Sequence, residues 1–295
     1  MRIASNKLSE LYTFYRNELS SIYDEGELYA IFELICEKYL GFSKTELRIK
    51  FEDKINQSNL INIYNTGVEL RKGIPVQYIL GEADFYNLKF NVNSSTLIPR
   101  PETEELVDVV IKQFKTYNSS LLSVLDIGTG SGCIPVTLKK HLPAAKVSGI
   151  DISDKALEVA KSNALKNNVD VTFFKVDILS QSPVQHSPFN IIISNPPYVL
   201  NSEAAHIDAR VLEHEPHLAL FVKDNDPIIF YKRIIDLCET DLKSGGYLYF
   251  ELNPLYASDV KNYANAANLF IFTELINDMS GKQRFLKAQK KWNTF

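Results

Sequence analysis

The chain of 295 residues has few cysteines, and their arrangement excludes several classes of protein. Cys36, Cys133 and Cys238 are odd in number, lie far apart and form no CxxC pair. They argue against a disulfide framework and against a cysteine-held zinc site, and they fit a reducing cytosol. We therefore expect a cytoplasmic protein.

Long apolar runs and an excess of positive charge are also missing. No run reaches the roughly 18 residues of a membrane span, and the opening MRIASNKLSE lacks the apolar segment of a secretory signal. Lys and Arg total 32 against 36 Asp and Glu, which gives a net charge of −4. This acidic balance disfavours a stable complex with nucleic acid. We expect no membrane partner and a monomeric protein.

The first part of the chain has the pattern of a small helical bundle. The 17 Phe and 15 Tyr supply material for a core, and apolar residues recur at helical spacing through residues 5–72. Ser43 and Glu46 form a capping box that should start a third helix. Gly73 and Pro75 should end the bundle.

The sequence pattern changes after residue 75. Residues 76–98 have the pattern of extended chain with a hairpin, and Pro101 is a good first residue for a helix. Beyond residue 121, apolar strands alternate with helices, which predicts an α/β fold with a parallel sheet covered on both faces. The predicted strands are 123–127, 146–150, 171–176, 190–194 and 247–251, and the helices between them are 132–141, 153–167 and 226–242. We expect a helical domain over 1–75, a β-hairpin linker over 76–98 and an α/β domain over 99–295.

A glycine-rich turn follows the first strand of this α/β region. Asp126-Ile-Gly128-Thr-Gly130-Ser-Gly132 has GxGxG spacing, unlike the GxGxxG of dinucleotide binders, and it contains no P-loop lysine. Asp151 ends the next strand, where a carboxylate can accept both ribose hydroxyls of a nucleoside. Asp177 ends the third strand, within reach of an adenine amino group. The pattern favours a nucleoside without a pyrophosphate, such as S-adenosylmethionine.

A second motif, Asn195-Pro196-Pro197-Tyr198, directly follows the predicted strand 190–194. The Asn195 side-chain oxygen and the Pro196 carbonyl can accept two hydrogens from one planar NH2 group, and Tyr198 can stack on that plane. The two prolines stiffen the backbone that holds them. By contrast, His214-Glu-Pro-His217 lacks the HExxH spacing, and we expect no metal site there.

These motifs together resemble those of the HemK/PrmC family, the peptide chain release factor N5-glutamine methyltransferases. The resemblance covers almost the whole chain and is most specific at Leu97-Ile-Pro-Arg-Pro-Glu-Thr-Glu104, which DNA methyltransferases that share the Asn-Pro-Pro-Tyr motif lack. It implies a Rossmann-like, S-adenosylmethionine-dependent methyltransferase domain with a mostly parallel twisted sheet, preceded by a helical substrate-recognition domain. The family's later E-x-G-x-x-Q pattern here reads Glu251-Leu-Asn-Pro-Leu-Tyr256, which is a departure.

The resemblance also assigns residues. It implies catalytic or substrate-binding roles for Asn195, Pro196, Pro197 and Tyr198, with Arg100 and Thr103 near the site or serving only the linker and helix. It implies that the cofactor S-adenosylmethionine, which leaves as S-adenosylhomocysteine, is held by Asp126, Gly128, Thr129, Gly130, Ser131, Gly132, Asp151, Ile152, Asp177, Ile178 and Asn195.

The expected substrate is the glutamine of the Gly-Gly-Gln motif in class-one release factors, whose methylation modulates translation termination. Two other substrates remain open, a glutamine of a ribosomal protein and adenine N6 of a nucleic acid, since each offers a similar planar NH2. A non-catalytic cofactor-binding module is a further alternative, disfavoured by the intact Asn195–Tyr198 motif.

Overall fold

The computed structural model describes residues 5–117, 122–182 and 188–292. The chain forms two compact units, and the smaller one combines the described residues up to Gly81 with the later segment 208–214. Its helices are α1 (Leu8–Leu19), α2 (Glu25–Leu40), α3 (Lys44–Ile49), α4 (Gln57–Leu70), α5 (Val76–Leu80) and α9 (Ala209–His214).

Local sequence signals start and end the helices of this unit. Asp24 caps α2, and the predicted capping box of Ser43 and Glu46 is present at α3. Buried apolar residues at helical spacing, such as Leu11, Phe32 and Ile63, form a core of their own. Within the same unit, Arg210 of the later segment pairs with Glu27 at 2.7 Å.

One sequence expectation fails at the end of this unit. The sequence pattern predicts extended chain over residues 76–98, but Val76–Leu80 forms a short helix that ends at Gly81 in the left-handed conformation. Val76 is buried in the helical core, so tertiary packing decides the conformation of this short segment. The hairpin itself is confirmed and lies just beyond the helix.

The larger unit holds the hairpin and an α/β fold. Its strands are β1 (Glu82–Phe85), β2 (Leu88–Asn91), β3 (Ser123–Ile127), β4 (Lys146–Asp151), β5 (Thr172–Lys175), β6 (Phe189–Ser194), β7 (Val199–Leu200), β8 (Phe221–Val222), β9 (Leu242–Glu251), β10 (Phe270–Asn277) and β11 (Gln283–Lys290). Its α-helices are α6 (Pro101–Phe114), α7 (Cys133–His141), α8 (Asp154–Lys166), α10 (His217–Leu220), α11 (Ile229–Asp241) and α12 (Ala257–Ala266).

Seven of these strands form one sheet in the order β10-β11-β9-β6-β3-β4-β5. The five strands that the sequence predicts are mutually parallel, as expected, and β11 and β10 add an antiparallel edge. Strand order reverses between β3 and β6, and ligands bind at such a switch point beyond the carboxyl ends of the strands.

Alternating strand residues pack against helices on opposite faces of the sheet. Val124 and Ile191 join the core formed with α6, α7 and the hairpin. Leu125 and Ile192 join the core formed with α11 and α12. This period of two explains why the central strands are apolar on both faces. In the part of the chain that the structure describes, no helix has the length and apolar character needed to cross a membrane.

Candidate active site

A cavity of about 480 Å³ opens at the carboxyl ends of the central strands. This volume is in the range of small-molecule sites. Its wall combines apolar side chains, such as Phe230 and Ile234 of α11, with a few polar groups from the strand ends. Of the residues that the sequence singled out, Gly128, Gly130, Asp151, Ile152, Asp177, Ile178, Asn195, Pro196 and Pro197 line it.

The glycine loop forms one side of the cavity with bare backbone. The amides of Gly128 and Thr129 both donate to the Ile150 carbonyl at 2.9 Å, which curls the loop over the end of β4. Gly128 and Gly130 have φ of +75° and +53°, and a Cβ built on either meets no atom within 4 Å. A side chain there would therefore enter the space of the cavity, so glycine keeps the loop open to a ligand.

Gly132 allows two helices to pack closely. A Cβ at this position would lie 3.0 Å from the Cβ of Ala160, so the absent side chain lets the start of α7 approach α8 closely. Thr129 and Ser131 are buried and, like Gly132, lie outside the cavity wall. Thr129, Ser131 and Gly132 therefore support the loop from behind, and a contact between these residues and a cofactor stays a prediction.

Asp126 is fully buried at the end of β3 and also lies outside the cavity wall. Its two carboxylate oxygens have no hydrogen-bond partner among the described residues. Burial raises the pKa of Asp126 to about 7, and the nearby carboxylate of Asp151 adds to the rise.

The carboxylate of Asp151 is fixed by backbone amides. One oxygen accepts from Gly130 and the other from Ser153, each at 2.9 Å, which ties the glycine loop to the end of β4. Each oxygen keeps one lone pair for a ligand hydroxyl. Asp177 lies two residues beyond β5 and accepts from the Leu179 amide at 3.0 Å, so it also holds its own turn.

The Asn-Pro-Pro-Tyr segment leaves the end of β6 beside the glycine loop. The Ser194 hydroxyl donates to the Ile127 carbonyl at 2.6 Å, which joins the ends of β6 and β3. Asn195 donates from Nδ2 to the Thr103 hydroxyl at 3.1 Å, which leaves its Oδ1 without a partner among the described residues. Tyr198 lies outside the cavity wall, and its hydroxyl donates to Glu251 at 3.4 Å.

Glu251 also belongs to the site, although the sequence motifs do not predict a role for it. It ends β9, is 1% exposed and accepts from the Thr103 hydroxyl at 2.6 Å. Burial raises the pKa of Glu251 to about 7, against the lowering effect of Thr103 and Arg284. The position of Glu251 at the end of a strand could have predicted its place in the site. Strand β9 neighbours β6, so a polar residue at the end of β9 must lie near Asn195.

Arg100 pins the segment before α6. It forms an ion pair with Glu215, whose side chain is 1% exposed, and Glu215 also accepts from the Ile98 amide at 3.2 Å. Both contacts fit the structural role for Arg100 in the linker. Arg100 is not among the residues that line the cavity. The residues that the structure describes contain no cluster of His, Cys, Asp and Glu suited to a metal ion.

Comparisons with known proteins identify sequences similar to this chain. A family model described as "Methyltransferase small domain" matches residues 106–218. The chain is 44% identical to a release factor glutamine methyltransferase of Flavobacterium psychrophilum, over 92% of this chain and 94% of that protein. It is 39% identical to a protein of the same name from Bacteroides thetaiotaomicron, over 96% of this chain and all of that protein.

Solved structures with little sequence identity share the fold. The hMettl16 catalytic domain, solved in complex with an RNA hairpin, aligns with a TM-score of 0.57 at 16% identity, over 94% of this chain and 91% of that one. A methyltransferase from Pyrococcus furiosus aligns with a TM-score of 0.51 at 17% identity, over 70% of this chain and 90% of that one. These likenesses bear on the fold alone.

Proposed function

Because the chain belongs to the family of release factor glutamine methyltransferases, we propose that it methylates the side-chain amide nitrogen of a release-factor glutamine. The proposed acceptor is the glutamine of the Gly-Gly-Gln motif in class-one release factors, and the proposed donor is S-adenosylmethionine. The relatives' names favour this substrate over a ribosomal protein or adenine N6.

One observation carries the proposal. Asn195, Pro196 and Pro197 line the same cavity as Gly128 and the other ligand-facing residues of the glycine loop. A donor held by the loop and an amide held by Asn195 would therefore meet in one space. Such juxtaposition is what transfer between two bound molecules requires.

Three features of the proposed donor site support S-adenosylmethionine as its ligand. The bare backbone of Gly128 and Gly130 leaves room for a ligand against the loop, and Asp151 offers two acceptor oxygens for ribose hydroxyls. The half-exposed side chain of Ile152 and the buried Ile178 offer apolar surface for a base. When bound, the cofactor supplies an electrophilic methyl group on a sulfonium sulfur.

The protein's own groups act on the acceptor amide. The Oδ1 of Asn195 and the carbonyl of Pro196 would accept the two hydrogens of the glutamine NH2, which fixes its plane. Holding the nitrogen in line can supply up to about 7–11 kcal/mol of the barrier reduction. The same two oxygens stabilise the positive charge that develops on nitrogen, and the proton leaves afterwards to water.

The helical unit would supply recognition of the whole substrate protein. One glutamine side chain cannot specify a protein, and this unit has a core separate from that of the α/β fold. We therefore propose that residues 1–75 form a substrate-recognition domain, with 76–98 as the hairpin linker and 99–295 as the methyltransferase domain. A cytoplasmic location is part of the proposal, supported by three free cysteines that are all buried.

The test is mass spectrometry of release factors incubated with S-adenosylmethionine and either wild-type protein or Asn195→Ala. We expect one added methyl on the Gly-Gly-Gln glutamine with the wild type. The variant should be about 100-fold slower, the effect of removing one well-placed polar group, with its cofactor affinity nearly unchanged.

The exposed Asn201 gives a matched control, since Asn201→Ala should keep full activity. Absence of methylation by wild-type protein that binds the cofactor would refute the proposed substrate. Equal loss of turnover and of cofactor binding in Asn195→Ala would refute the role given to Asn195.

A further inference from the structure

Three side chains form a directed chain of hydrogen bonds behind the cavity. Asn195 Nδ2 lies 3.1 Å from Thr103 Oγ1, and Thr103 Oγ1 lies 2.6 Å from Glu251 Oε2. A threonine hydroxyl has a single hydrogen. If that hydrogen goes to an ionised Glu251, the hydroxyl oxygen can only accept from Asn195.

This constraint sets which end of the Asn195 amide faces the cavity. An asparagine amide has a donor end and an acceptor end that exchange places on rotation by half a turn. With the nitrogen held by Thr103, the oxygen is left for the NH2 of a substrate. The opposite orientation would place two NH2 groups against each other.

We propose that Thr103 and Glu251 are positioning residues, and that ionised Glu251, acting through Thr103, holds the Asn195 amide in the orientation that accepts the substrate. The proposal rests on the proposed function for the nature of that substrate. A protonated Glu251 donates to Thr103, whose own hydrogen is then free to turn to Asn195 Oδ1. The amide orientation thus depends on the charge of Glu251.

The surroundings of Glu251 make this charge adjustable near neutral pH. Burial favours the neutral acid and raises its pKa to about 7. Arg284 of β11 favours the anion, whereas Glu102 of α6 opposes it. The other titratable groups that face Glu251 are Tyr198 after β6, Tyr231 of α11 and Cys133 of α7.

Variants at Thr103 separate positioning from mere packing. Thr103→Val keeps the shape but removes the hydroxyl, and we expect kcat/KM for the release factor to fall about 10-fold, the effect of one lost hydrogen bond. Thr103→Ser restores the hydroxyl and should recover most of the activity. Thr137 is the matched control, because its buried hydroxyl has no partner among the described residues and Thr137→Val should keep full activity.

The pH profile is the decisive kinetic readout. For the wild type, kcat/KM should rise with pH through about 7, as Glu251 ionises. Thr103→Val and Glu251→Gln should both lose this inflection while they retain cofactor affinity. An unchanged inflection in Thr103→Val would overturn the proposal, and so would a parallel loss of cofactor binding and activity that Thr103→Ser does not restore.

A readout without turnover keeps this test independent of the proposed function. In 15N-labelled protein, the side-chain NH2 signal of Asn195, identified by its absence in Asn195→Ala, should shift with pH around 7 in the wild type. It should not shift in Thr103→Val. A wild-type protein without transfer activity would refute the proposed function, whereas a signal that does not respond to pH, or responds equally in both proteins, would refute the relay.

Discussion

The buried carboxyl of Asp126 should make the protein less stable as the pH rises. Asp126 has no exposed surface and no hydrogen-bond partner among the described residues. Burial raises its pKa from the ordinary value of 3.8 to about 7 in the folded state. In the unfolded chain the carboxyl ionises near its ordinary pKa, so folding above that pH requires either uptake of a proton or burial of a charge.

The size of the effect follows from the two pKa values. A tenfold difference in proton affinity corresponds to about 1.4 kcal/mol, so the step from 3.8 to about 7 corresponds to about 4 kcal/mol. The folded state binds the proton more tightly, and stability is therefore greatest below pH 3.8 and is lost up to about pH 7. Above that pH the loss is constant. Since domains are stabilised by about 5–15 kcal/mol in total, the contribution is large.

Asp126→Asn removes the titration while keeping the shape of the side chain. The free energy of unfolding of the variant minus that of the wild type should increase by about 1.4 kcal/mol per pH unit between about pH 4 and 7. Urea unfolding of the full chain gives this difference. Fluorescence of the single tryptophan, Trp292, reports on the α/β unit, because its ring packs over Gly245.

Asp278 provides a control of opposite sign. The Lys282 amide holds the pKa of Asp278 below its ordinary value of 3.8, so the stability that this carboxylate contributes is present above that pH and is lost as the pH falls below it. The stability of Asp278→Asn relative to the wild type should therefore fall as the pH rises toward 3.8 and should then stay level up to about pH 7. A flat difference curve for Asp126→Asn, or a curve that falls with pH, would refute the account of Asp126.

Two further predictions concern packing beside the site. Gly132→Ala places a Cβ 3.0 Å from Ala160 at φ of +78°, and it should lower the free energy of unfolding in urea by about 2–4 kcal/mol. Gly281→Ala has a similar φ of +81° but open space around its Cβ, so it should lower that free energy by only about 1 kcal/mol. Equal losses in the two variants would refute the close approach of α7 and α8. Arg100→Met leaves the buried Glu215 without its ion-pair partner, and it should lower the free energy of unfolding by about 3 kcal/mol. Glu215→Gln should lower it by less, because no unpaired charge is then buried. A larger loss for Glu215→Gln than for Arg100→Met in thermal or urea unfolding would contradict the role of Arg100 in holding this segment.

Local patterns in the sequence were enough to predict most elements and the glycine loop. The capping box at Ser43 and the alternating hairpin residues act within a few positions of the chain, and both are present as predicted. Gly128 and Asp151 stood out because strand ends in a parallel sheet meet at one edge. The conformation of residues 76–80 and the antiparallel strands β10 and β11 were missed, since packing against distant segments decides them.

The sequence by itself determined the α/β class, the glycine loop and the Asn195–Tyr198 motif, because each depends on residues that are close together in the chain. Only the tertiary structure decided that Thr103 lies between Asn195 and Glu251, which are 92 and 148 residues away from it. It also decided that the pKa values of Asp126 and Glu251 are raised to about 7. Burial sets those pKa values, and burial depends on every segment that excludes water from a carboxyl group, not on the residues beside it in the chain.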